Sequence, residues 1–196
     1  MALDAVGSVM SRYDSDQLYP VFGFGGIPPG EHKTSHCFSI SPGKEHIKGI
    51  NEVLSAYRSI APQVQMSGPT NFAPVFRKAI EIVDREDKPQ QYYILYILTD
   101  GEIHDMKETV DCLVEISSRN LPISVIIVGV GNEDFANMVR LDGDEVAVAS
   151  GAKDIVQFVK FNEVVKRSEP NQIKENIAAI LLEEVPSQMV AFFAKK

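Results

Sequence analysis

Thr70 lies in "GPTNFAPV", where a glycine–proline loop runs straight into an apolar helix pattern, and Asp100 lies in "LTDG", at the end of an apolar strand pattern. In an open α/β sheet, ligands bind in the crevice beyond the carboxyl ends of the strands. "GFGG" and "GVGN" close two other apolar runs and are expected on that same edge. A hydroxyl and a carboxylate in one crevice make a hard, oxygen-only set, suited to magnesium, manganese or calcium and not to zinc. Both residue types are also common caps, Thr70 for the helix after it and Asp100 for the turn after its strand. Spacing alone leaves the two readings open and favours capping.

Other candidates are weaker. His32 and His36 are four apart, but Pro28, Pro29 and Gly30 argue against a helix there, so they read as solvated loop histidines. His104 follows "TDGEI" and reads as the start of a helix. "LDGDE" has acidic spacing loosely like a calcium loop, yet it lacks the other ligands of an EF-hand and reads as a surface turn. Glu183 and Glu184 read as a solvated helix face. Val190, Phe192 and Phe193, followed by Lys195 and Lys196, are expected to pack a terminal helix back on its domain. "GFGG" and "GVG" do not complete G-x-G-x-x-G, and neither a Walker A lysine motif nor a G-x-S-x-G elbow occurs. With no general base beside Asp100 and no loop to cradle phosphate, no enzymatic activity is expected.

The elements that must position Thr70 and Asp100 follow from periodicity. Residues 2–13 place Leu3, Val6, Met10 and Tyr13 on one helical face. "LYPVFGFGG" and "HCFSI" read as short strands, with Pro20 at the start of the first. Helices are expected over 46–60 and 72–86, the second with Phe72, Val75, Phe76, Ala79, Ile80 and Val83 inward. "QYYILYILTDG" and "PISVIIVGVG" read as strands buried on both faces. Between them 105–118 is helical; "NEDFANMVRLDGD" is a short helix capped by Asn132; "DIVQFVKF" is a last strand; 171–185 is a helix, with a further turn from Pro186. Strands alternating with helices predict an α/β fold: a doubly wound, mostly parallel sheet with helices on both faces. No linker or repeat divides the chain, so residues 1–196 read as one domain. Such a sheet usually has its central strand early, but this chain opens on a helix, so a first strand is expected to be missing.

Composition sets the outer limits. The chain has 196 residues, 44% hydrophobic and 23% charged, with a net charge of −8. That field disfavours nucleic acid and anionic lipid as partners. No apolar run is long enough to span a bilayer, and the N-terminus lacks the features of a signal peptide. Cys37 and Cys112 give neither a disulfide framework nor metal spacing and read as buried small hydrophobes in a reducing, intracellular setting.

"YDSDQLYPVFGFGG", "GPTNFAPV", "ILTDGEIHDM", "PISVIIVGVGNEDFANMVRLDGD", "DIVQFVKF" and the closing "LLEEVPSQMVAFFAKK" together resemble the von Willebrand factor A-like domain of copines, in order and over nearly the whole chain. The resemblance implies a protein-interaction module with a metal-ion-dependent adhesion site on the top edge of the sheet. Thr70 matches the family's threonine ligand, and Asp100 its last aspartate. The site's other ligands come from a D-x-S-x-S stretch ending the first strand, and no such stretch precedes Leu3; "DSD" at 14–16 follows the first helix. Magnesium, manganese or calcium is therefore expected to bind weakly or not at all. The resemblance further implies protein partners and a cytoplasmic protein. Phospholipid contact and calcium-dependent recruitment to the plasma membrane would come through other domains. A structural domain without metal is the alternative, and a metal-dependent kinase a more distant one.

Overall fold

The computed structural model describes residues 2–86, 90–143 and 153–194. First comes helix α1 (Ala2–Tyr13). Six two-residue strands pair antiparallel: β1 (Leu18–Tyr19) with β5 (Ile47–Lys48), β2 (Phe22–Gly23) with β4 (Phe38–Ser39), and β3 (Gly26–Ile27) with β6 (Gln65–Met66). Helix α2 (Ile50–Ile60) joins β5 towards β6, and α3 (Ala73–Glu86) follows. The second half alternates: β7 (Tyr93–Thr99), α4 (Met106–Ser118), β8 (Ile123–Gly129), α5 (Ala136–Asp142), β9 (Val156–Lys160). Three helices finish it, α6 (Phe161–Arg167), α7 (Ile173–Leu181) and α8 (Val185–Phe193).

Strands β7, β8 and β9 form a parallel sheet in that order, with Tyr93 opposite Ile123 and Val125 opposite Val156. The alternation of side chains along the strands feeds two cores. On one face Phe72, Phe76 and Ile80 of the α3 region and Leu113 and Ile116 of α4 pack on Ile97, Val125 and Ile127. On the other, Val6 and Val9 of α1 and Ile177 and Leu181 of α7 pack on Ile126 and Val128. This is the α/β architecture that the alternating pattern predicts, with helices on both faces. Every residue of β8 is buried.

Several local expectations need correction. The "LYPVFGFGG" run is not one strand: Pro20, lacking an N–H, falls between β1 and β2 instead of at the start. Ile47 belongs to β5, and Gly49, at φ +78°, turns the chain before α2 begins at Ile50. Strand β7 is mostly half-buried, because nothing among the described strands pairs with its second edge. Asn132 does not cap α5. Its side-chain oxygen accepts from Asn162, and the Asp134 carboxylate takes the Ala136 N–H at 2.9 Å. Phe161, read as the last residue of the final strand, instead opens α6, and β9 ends at Lys160. The helix expected over 171–185 ends at Leu181 as α7, and the further turn expected from Pro186 is α8, which carries that proline in its first turn. Phe192 of α8 is buried and meets the Tyr92 ring edge-on, as expected of a terminal helix that packs back, while Val190 stays exposed. Among the described residues, no helix is long and apolar enough to cross a membrane.

The outer edge of β9 is closed by carboxylates. Asp154 accepts the Val156 N–H at 3.3 Å, and Asp142, at the end of α5, accepts the Phe158 N–H at 2.8 Å. Of "LDGDE", Leu141–Gly143 are described; Leu141 is core and Asp142 half-buried, not a surface turn, and the rest lies outside the described residues. Burial pushes the Asp142 carboxyl up to about 6, against the pull of the Phe158 N–H. A carboxyl raised on folding favours the fold most when protonated, so its contribution is lost as pH rises from about 4 to about 6. Asp142→Asn keeps an acceptor for Phe158 without the charge. It is expected to raise stability at pH 7 by on the order of 1 kcal/mol or less, since the group is partly solvated. It should also flatten the pH dependence between 4 and 6, checked by urea midpoints across that range.

Candidate functional site

Phe72 immediately precedes α3 and Ala73 is its first residue, and the N–H groups of both need acceptors. Thr70 does not supply one. The Asp105 carboxylate does, taking the Phe72 N–H on one oxygen and the Ala73 N–H on the other, each at 2.8 Å. Asp105 also stands at the start of α4, where its carbonyl takes the Thr109 N–H at 2.9 Å and its carboxylate the Thr109 hydroxyl at 3.3 Å. One side chain thus bolts the beginning of α3 to the beginning of α4. A second tie lies beside it. His104 donates its N–H to the Thr70 carbonyl at 2.9 Å, and Thr70 donates its N–H to His104 Nδ1 at 3.1 Å. An accepting Nδ1 carries no proton, which fixes the imidazole tautomer while the tie holds.

At the end of β7 the turn is closed by Thr99, whose buried hydroxyl accepts the Gly101 N–H at 3.1 Å. Asp100 therefore does not cap it and is exposed. Gly101 sits at φ +112°, and Phe135 lies against it: a Cβ at Gly101 would come within 2.8 Å of the ring, and one at Gly129, the end of β8, within 2.7 Å. Phe135 packs where two strand-end side chains would otherwise be, and so sets how the Asp100 turn leaves the sheet.

The structure ties the Thr70 loop to the loop that follows Asp100, and it brings Gly25 of "GFGG" alongside, with its Cβ position 4.0 Å from the Thr70 hydroxyl. Neither the Thr70 hydroxyl nor the Asp100 carboxylate makes a hydrogen bond among the described residues. His104 belongs to this edge through its bonds to Thr70. His32 is exposed, and His36 is half-buried with its Nδ1 unpartnered. Cys112 is buried and Cys37 half-buried, both as free thiols raised above the ordinary value by burial. Asp105, the residue that builds the edge, is the one sequence reading missed. Its position just before a helix pattern is a cap signal, but for α4 and not for α3.

A hexacoordinate hard cation wants about six oxygens, anchored by carboxylates. These loops offer the Asp100 carboxylate and the Thr70 hydroxyl, while both oxygens of Asp105 are already engaged. No three His, Cys, Asp or Glu side chains converge among the described residues. That donor set does not fit a tightly held cation.

A parallel sheet between two helical layers, with polar loops at its carboxyl edge, is a doubly wound α/β domain. The copine family model matches residues 1–196. Copine-A of Dictyostelium discoideum is 42% identical over 202 residues, covering 99% of this chain and 32% of that protein. The chain belongs to the copine family, and it spans about a third of the length of that relative. Among solved structures, manganese-loaded TRAP of Plasmodium vivax superposes with a TM-score of 0.47 at 13% identity, covering 86% of this chain and 64% of that one.

Proposed function

We propose that this chain is a protein-docking module of a copine, and that partners meet it at the loop edge built by Thr70, Asp100 and His104. One observation supports this above the others: the capping duties that would explain Thr70 and Asp100 are carried out by Asp105 and Thr99. An exposed carboxylate and a hydroxyl are thereby held on a braced edge with no structural task of their own. The module is non-catalytic in this reading. It is cytoplasmic, and calcium-dependent recruitment to membranes would belong to other parts of a longer protein.

A divalent cation at this edge would be weak and would take most of its shell from water or from a partner carboxylate. Calorimetric titration of magnesium, manganese and calcium into the chain is expected to show no saturation below about 1 mM, the weak end of protein oxygen sites. Tight binding that survives Asp100→Ala would overturn the assignment of the edge. For docking, affinity capture with the wild-type chain and with Asp100→Ala should differ in a defined set of proteins while the two circular dichroism spectra coincide. Capture indifferent to Asp100 and also to Thr70→Ala would favour the structural alternative, a domain without a working edge.

A further inference from the structure

We propose that the cleft between α5 and the α6–α7 pair, beside β9, binds the C-terminus of another polypeptide, one that ends in a branched aliphatic residue.

The cleft encloses about 510 Å3, within the usual range for ligand pockets. Its lining has three chemical parts. Val139 of α5, Phe158 of β9, Val164 of α6 and Ile180 of α7 give it an apolar wall. Val139 is 50% exposed, a large aliphatic side chain left in water on this wall. Lys160 and Arg167 bring positive charge, and Asp142 brings a carboxylate. The positive part is under-compensated. Lys160 and Arg167 share one acid, Glu163, each at 3.5 Å, which is longer than a good hydrogen bond. Elsewhere on this acidic chain the balance runs the other way: Arg119 alone is held by Asp84 at 2.6 Å and by Glu115 at 2.9 Å. An ammonium and a guanidinium around one loosely held carboxylate can take a second, and the guanidinium fork suits a carboxylate in particular.

Asp142 asks for something different. One of its oxygens takes the Phe158 N–H at 2.8 Å, and the other has no donor among the described residues. The nearby polar groups of the lining do not supply one. Asn176 donates to the Ser168 hydroxyl at 2.9 Å, and Ser168 donates to the Val164 carbonyl at 2.7 Å. A half-buried carboxylate with one oxygen unserved gains from an incoming N–H. A fitting ligand therefore carries an anion, an N–H donor and an apolar body. The last residue of a polypeptide has all three. Its carboxylate meets Lys160 and Arg167, its backbone N–H serves the open oxygen of Asp142, and its side chain lies on the apolar wall. A cationic ligand would be repelled by Lys160 and Arg167, and a phosphate would bring charge but no N–H for Asp142. Capture of a terminal carboxylate is a recurring mode of peptide recognition.

The test titrates the peptide acetyl-Ala-Val-Leu, with a free carboxylate, into the isotope-labelled 196-residue chain and follows amide shifts by NMR. The amides of Val139, Phe158, Val164 and Ile180 should shift together and saturate below about 5 mM, as for a small ligand of modest efficiency. The same peptide as its C-terminal amide should bind at least about tenfold more weakly, for the loss of a charge-assisted contact. Isocaproate keeps the carboxylate and the aliphatic body but has no N–H, and should also be about tenfold weaker. Arg167→Gln should weaken the peptide about threefold, and Glu163→Gln, which removes the competing acid, should tighten it about threefold. Ala179→Phe, at an exposed position of α7 on the lining, should fill the cleft and abolish binding while the chain stays folded. No saturation, shifts confined to other surfaces, equal binding of acid and amide, weaker binding by Glu163→Gln, or undiminished binding by Ala179→Phe overturns the proposal. Isocaproate binding as tightly as the peptide would make this a site for small acids and overturn its assignment to a polypeptide. This inference does not rest on the loop edge, and its variants leave Thr70, Asp100 and His104 untouched.

Discussion

Phe135→Ala is expected to destabilise the chain by about 3–5 kcal/mol, the range for emptying a buried aromatic site. Phe135 is 5% exposed and packs at an angle to the Phe158 ring, 5.5 Å between centroids. Its ring lies over the ends of β7 and β8, where Gly101 and Gly129 leave room for it. The two glycines and the ring act as one unit, so their substitutions should couple. Gly129→Ala in the wild-type chain drives a methyl into the ring and is expected to cost about 1–3 kcal/mol, as overpacking does. In a Phe135→Ala background the same methyl enters the space the ring has left and should cost much less. Gly101→Ala should not be rescued in this way, because its φ of +112° strains any Cβ whatever the space. Urea unfolding of the wild type, the three single variants and the two double variants measures all of these terms. Equal costs for Gly129→Ala in both backgrounds would break the unit apart.

The architecture was legible in the chain because its strongest signals are local. "ISVIIVG" is apolar at every position and is buried at every position in β8. The amphipathic patterns of α3 and α4 put Phe76, Ile80, Leu113 and Ile116 in the core, as their spacing predicts. β7 carries much the same apolar pattern and is only half-buried, since a strand's sequence reports its own side chains and not how many neighbours it has. The short strands of the first half were blurred for a related reason: two-residue ladders held by partners up to 40 positions away leave no periodicity to read. In the site, the positions of Thr70 and Asp100 were legible from strand-end and glycine-loop logic. Their release from capping was not, because the groups that displaced them act across the fold, Asp105 on α3 above all.

That displacement gives the second large effect. Asp105→Ala is expected to cost about 2–4 kcal/mol, as the loss of two charge-assisted bonds that leaves the Phe72 and Ala73 N–H groups without an acceptor. Phe72 is fully buried and meets Phe24 edge-on, so its N–H is poorly placed to find water instead. Asp105→Asn can satisfy only one of the two donors with its single carbonyl oxygen and should fall between wild type and alanine. Thr70→Ala is the decisive companion. If Thr70 capped α3, its removal would cost about 1 kcal/mol and that of Asp105 comparatively little. The observed geometry requires the reverse order: a change within about 0.5 kcal/mol for Thr70→Ala, as at sites away from a structural feature, and the large loss for Asp105→Ala. Chemical denaturation orders the three variants. Amide exchange adds the local readout, with the Phe72 and Ala73 amides speeding up in Asp105→Ala and staying protected in Thr70→Ala. A Thr70 hydroxyl that can be removed without loosening the helix would be consistent with the docking edge proposed for Thr70 and Asp100.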